Sequence, residues 1–165
     1  MKIPDDIQIS TTLPPDEIEV HKNLLANVHR ILTDYENKNP LIAHQHFAED
    51  ATIEIPEVGT LVGRQAIDEY FRWTYQGIAG FEWSIQSVNI LVNQVIFTAD
   101  VTCSFAQENQ VPLRMSWAVS MILEPQTRRI KNIRVGGDIL SMIETASLHA
   151  GPVRGISRPW PVSLD

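Results

Sequence analysis

Five histidines and a single cysteine leave few places in this 165-residue chain where proton transfer or metal chemistry could be organised. His46 is the first candidate. Asn39-Pro40 reads as an N-cap followed by a first helical residue, which predicts a short helix Pro40–Phe47 with Ile42, Ala43 and Phe47 on its apolar face beside His46. An imidazole there, with an ordinary pKa of about 6.5, suits general acid or base work. It equally suits a hydrogen-bonded core histidine. Asp138 follows Gly136-Gly137, two residues that allow a bulge able to turn the next side chain towards an inner rim, where it could orient His46. The competing role for Asp138 is N-cap of a helix over Ile139–Ser147.

Tyr70 and Tyr75, with Trp73 and Trp117, supply aromatic walls and hydroxyls that could polarise a carbonyl, although such residues also serve simply as core. Asp100 and Arg134 are lower-ranked polar candidates. Both are out of phase with their apolar neighbours, which points them to solvent, to a surface ion pair or to a subunit contact. Glu54 alternates with Ile53 and Ile55 and should face outward. His44 and His46 diverge by about 200° on a helix and make a poor metal pair. The sequence has no HExxH, no cysteine cluster and no glycine-rich phosphate loop, so neither a metal nor a nucleotide cofactor is expected.

The elements that must position these groups follow from hydrophobic spacing. Leu24, Leu25, Val28, Ile31, Leu32 and Tyr35 recur at helical intervals after acidic Asp16, Glu17 and Glu19, predicting a first helix. A strand over Thr52–Pro56 and a turn over Glu57–Thr60 lead to a helix from about Gln65, with Ile67, Tyr70, Phe71 and Thr74 on one side and Gly77 and Gly80 at its end. Long strands come next. Every odd position from Val111 to Leu123 is apolar, and Val95–Phe105 repeats the alternation, with a hairpin loop over Ala106–Gln110. Phe81, Trp83 and Ile85 share one face while Val88 and Ile90 fall on the other, so a bulge is expected near Ser87. Arg129–Val135 is the last strand. Residues 1–14 read as an extended arm, 15–148 as one α+β domain, and 149–165, rich in Pro and Gly, as an irregular tail whose Trp160 would cover a pocket mouth or a partner.

Composition narrows the function classes. Apolar residues make up 44% and charged residues 20%, ordinary globular usage for a chain able to build one core. A net charge of -7 with scattered basic residues argues against nucleic acid, since only Arg128, Arg129 and Lys131 cluster. One cysteine makes no internal disulfide. No secretory signal or membrane-length apolar run is seen, so a cytoplasmic setting away from membranes is expected.

The run His46-Phe47-Ala48-Glu49-Asp50-Ala51-Thr52-Ile53-Glu54-Ile55-Pro56, followed by Gly63-Arg64-Gln65-Ala66-Ile67 and Tyr70-Phe71, resembles the SnoaL-like and ketosteroid-isomerase-like branch of the NTF2-like superfamily. The resemblance spans about Val20 to Ile143. It implies a cone-shaped α+β fold, a curved antiparallel sheet wrapped around three N-terminal helices, with an apolar pocket for a small organic molecule. That fold hosts isomerases, cyclases, dehydratases, epoxide hydrolases and plain binders. The chain departs from the known constellations. The isomerases' general-base Asp falls at Ile55, their helix-one Tyr near Ile31 and their oxyanion-hole Asp near Val119. The water-positioning Tyr and Asn of limonene-epoxide hydrolases fall at Ile53 and Ile55; Asp100 matches one of their acids, but their Arg falls near Thr98.

The expectation is therefore a cofactor-independent enzyme performing isomerisation, cyclisation, dehydration or epoxide opening on a small hydrophobic substrate. His46 is its acid or base and Asp138 the partner of His46. Ile53, Ile55, Tyr70, Phe71, Tyr75, Met115, Trp117, Val119 and Ile133 form the pocket wall. The alternative is a non-catalytic ligand-binding or dimerisation domain, and the exposed strand face with Arg114, Asp100 and Arg134 would suit a homodimer.

Overall fold

Proline is tolerated in the first turn of a helix, where its missing N–H would have no partner, and helix α1 (Pro15–Glu36) begins on one. A computed structural model of the protein describes residues 15–56, 58–106 and 111–159. Leu24, Val28, Ile31, Leu32 and Tyr35 are the buried stripe of α1, as the spacing predicts. The helix stops where Lys38 takes a left-handed conformation (φ 53°) and the amides of Lys38 and Asn39 return to the carbonyls of Tyr35 and Asp34.

Helix α2 is shorter than expected, a single turn over Ile42–His46. Asn39 is not its N-cap: that position is Leu41, which has no side-chain cap, and Asn39 Oδ1 accepts from Leu41 N at 2.9 Å in the turn ahead of the helix. Phe47 is already strand, drawn into register with Ile130. Strand β1 (Phe47–Ile55) then pairs antiparallel with β2 (Gly59–Val62), so the residues read as a turn partly form a strand. Helix α3 (Arg64–Gly77) runs directly into β3 (Ile78–Leu91), followed by β4 (Gln94–Phe105), β5 (Leu113–Leu123), β6 (Ile130–Gly137), helix α4 (Leu140–Ala150) and β7 (Ile156–Pro159). Strand β5 starts two residues later than Val111, and most of the predicted hairpin loop, like the N-terminal arm and Trp160, lies outside the described residues.

These strands form one sheet in the order β3-β4-β5-β6-β1-β2-β7. It is mixed rather than wholly antiparallel, because β1 and β6 run parallel. The bulge expected near Ser87 appears as a register shift between Ile85 and Ser87. Odd-numbered Met115, Trp117, Val119 and Met121 are all buried on the inner face, which curves around the helices. The tail corrects the reading most. Helix α4 runs through Ala150, and β7 then adds to the edge of β2. Gly155 permits the return: at φ 87° it packs so close to Ala66 that an added Cβ would lie 2.2 Å from the Ala66 carbonyl oxygen.

Candidate functional site

Between the inner face of the sheet and helices α1, α2 and α3 lies an apolar cavity of about 80 Å³. Seven of the nine expected wall residues line it: Ile53, Ile55, Tyr70, Phe71, Trp117, Val119 and Ile133. Met115 is buried in the same core away from the cavity, two residues along β5 from Trp117. Tyr75 stands behind the wall, its ring stacked on Phe71 at 6.2 Å. Tyr35, Trp83 and Phe97 line the cavity and were not among the expected wall residues. Strand alternation already places Trp83 with Phe81 and Ile85, and Phe97 with Ala99, on the inward faces, so the signal was present.

The phenols are held neutral. Burial drives the Tyr35 hydroxyl well above the ordinary phenol range, helped by neighbouring Tyr70 and Tyr75, while the Thr74 hydroxyl pulls the other way. Tyr70 is raised by burial, against the Thr74 hydrogen bond. Tyr75 is raised by burial and then by the charges of Asp34 and Asp68. Such groups donate hydrogen bonds but cannot serve as bases near neutrality.

His46 is buried, yet its neighbour on the cavity wall is Ile42, one turn earlier; the imidazole does not line the cavity. Its partner is also not the expected one. Nε2 of His46 shares a 2.5 Å hydrogen bond with Oδ2 of Asp34 at the end of α1, a carboxylate that is 24% exposed. Asp138 instead accepts from Ser141 Oγ at 2.9 Å and from Ser141 N at 3.5 Å, one residue ahead of the N-cap position, which is Ile139 rather than Asp138. The correction has a simple cause. The packing of α1 against α2 brings Asp34 to His46, while Asp138 is engaged by the first turn of its own helix. Asp34 sits next to the buried Tyr35 at the edge of the α1 stripe, and that position was its only sequence signal.

The outer face behaves as its phase requires. Asp100 accepts from Ser116 Oγ at 2.7 Å and Gln86 Nε2 at 2.9 Å, and Arg134 lies 3.8 Å from Glu54. Lys131 of the small basic cluster pairs with Asp50, holding that carboxyl below its usual range. Among the described residues no three His, Cys, Asp or Glu side chains converge to hold a metal, and no helix is long and apolar enough to cross a membrane. The cavity thus offers dispersion, neutral phenols and indole N–H donors, with the His46–Asp34 pair beyond its wall.

Solved structures share this architecture. PrhC from Penicillium brasilianum superposes with a TM-score of 0.65 at 13% identity, covering 79% of this chain and 92% of that one. An LEH-like epoxide hydrolase from M. tuberculosis gives 0.62 at 13% identity, covering 78% and 92%. A protein of ketosteroid-isomerase-like fold from Catenulispora acidiphila, in complex with trimethylamine, gives 0.58 at 19% identity, covering 73% and 94%. At these identities the likeness is one of fold. No curated protein matches this chain in sequence. The family profile described as SnoaL-like domain matches residues 28–135, the span that runs from the buried stripe of α1 to the end of the β6 wall. By that match, over a fold that agrees with it, the chain belongs to the SnoaL-like domain family of NTF2-like proteins.

Proposed function

We propose that this protein is a cofactor-independent enzyme of the isomerase, cyclase or dehydratase type, acting by proton transfer on a small hydrophobic organic molecule held in the cavity. The observation that carries the reading is an apolar chamber whose polar groups are neutral donors, with a buried imidazole, hydrogen-bonded to a part-buried carboxylate of α1, on the helix that supplies wall residue Ile42. In a water-excluded site a fixed donor stabilises developing charge more strongly than in solution. His46 is the proton carrier, and Asp34 fixes its orientation. An epoxide hydrolase on the same fold is in keeping with this type of chemistry.

A second reading, a non-catalytic binder of apolar molecules, is favoured by one specific observation: among the described residues no carboxylate or imidazole lines the cavity. Deuterium incorporation next to the carbonyl of small ketones such as acetone in heavy water separates the two. The enzyme reading expects protein-accelerated exchange that falls at least about tenfold in His46→Ala, the usual scale for losing a general acid or base, in a variant that still unfolds cooperatively. Binding without exchange leaves the binder, and exchange indifferent to His46 removes His46 from the enzyme reading.

A further inference from the structure

Two side chains of the cavity wall carry hydrogen-bond donors that no other described residue uses. Trp83 and Trp117 are each 5% exposed, both line the cavity, and the Nε1–H of neither finds an acceptor among the described residues. Buried donors are seldom left this way, because each forfeits its hydration without compensation. The contrast lies within the same chain: Trp73, outside the cavity, donates its Nε1–H to the Gly151 carbonyl at 2.8 Å.

Strand register sets the pair. Trp83 on β3 is opposite Val101 of β4, and Trp117 on β5 is opposite Ala99 of β4, so the indoles stand on either side of that strand, offset by two residues. Ala99 is small enough for them to meet above it, edge to face, with centroids 5.3 Å apart and planes at 75°. An indole N–H donates and never accepts. Among the described residues no Lys, Arg or His lines the cavity, so an anionic ligand would lose its hydration without a counter-charge.

We propose that Trp83 and Trp117 are the recognition donors for the oxygen of a compact, uncharged carbonyl compound. This rests on the reading of the cavity as the ligand site and names the ligand's class. A carbonyl oxygen has two lone pairs to offer, and the rest of such a molecule meets only apolar and aromatic surface. The free volume is about half that of an engineered cavity of about 150 Å³ that admits benzene, which selects molecules smaller than benzene.

The test uses the full chain, labelled with nitrogen-15, titrated with acetone and with 2-methylpropene, a hydrocarbon of nearly the same shape, both smaller than benzene. The ketone binds at least about tenfold more tightly, as expected for gained hydrogen bonds, and moves the Trp83 and Trp117 indole N–H resonances downfield while Trp73 stays put. Trp83→Phe and Trp117→Phe each lower the ratio of ketone to hydrocarbon affinity, a ratio in which the change of cavity volume felt by both probes largely cancels; where a variant fails to fold, the wild-type comparison decides alone. Equal affinity for the two probes, or indole resonances that ignore the ketone, overturns the assignment of the indoles and leaves the cavity as a ligand site. Failure of both probes to bind overturns the cavity reading and this assignment together.

Discussion

Replacing Gly137 by Ala tests how the last long strand holds the cavity wall. Gly137 has φ 111° and stands in register with Trp117 of β5. An added Cβ would lie 2.2 Å from the Ser116 carbonyl oxygen and 3.3 Å from Trp117 Cα. Both obstacles are backbone, in a strand tied to β4 on one side and β6 on the other, so no side-chain rotation relieves them. The unfavourable φ costs about 1–3 kcal/mol and forced overpacking about as much again, giving roughly 2–6 kcal/mol. A typical domain has only about 5–15 kcal/mol in total. With a urea dependence of about 2 kcal/mol per molar, the unfolding midpoint should fall by about 1–3 M. Gly136→Ala is the internal control. Its φ is not in the left-handed region, and the nearest atom to a new Cβ is the Ala118 carbonyl oxygen at an ordinary 3.7 Å, so its midpoint should stay within about 0.5 M. Coincident midpoints for the two variants would refute the reasoning.

The His46–Asp34 bond should appear in a double-mutant cycle of Asp34→Ala and His46→Ala. A coupling of about 1 kcal/mol is expected, the value for a charge-assisted bond reduced because Asp34 is partly exposed, whereas Asp138→Ala paired with His46→Ala should couple by about zero. Measurable coupling to Asp138 and none to Asp34 would reverse the assignment. Burial pushes the Cys103 thiol up to about 12, and the residue is fully buried, so the native protein should resist alkylation at about pH 8 until denaturant is added. Stoichiometric labelling of the folded chain would show that β4 opens.

Period-two alternation over β4 and β5 is carried by adjacent residues, and it determined by itself which side chains face inward; Met115, Trp117 and Val119 needed no other information. The stripe of α1 and the break at Ser87 are local in the same sense. So is the motif run from His46 to Pro56, which carries the family resemblance. What the sequence could not determine involves partners far apart in the chain. The edge pairing of β7 on β2 is decided by backbone hydrogen bonds that any residue with a free amide can make, and the parallel pairing of β1 with β6 depends on the path of the whole chain. Asp34 and Asp138 are both near-surface carboxylates in the sequence. Only the packing of α1 on α2 gives one of them to His46, and only the first turn of α4 occupies the other. The cavity itself is of this kind, since apolar side chains at the same positions could have filled the space between sheet and helices. Whether they leave a gap depends on volumes and rotamers summed over several elements, which no single stretch of residues encodes.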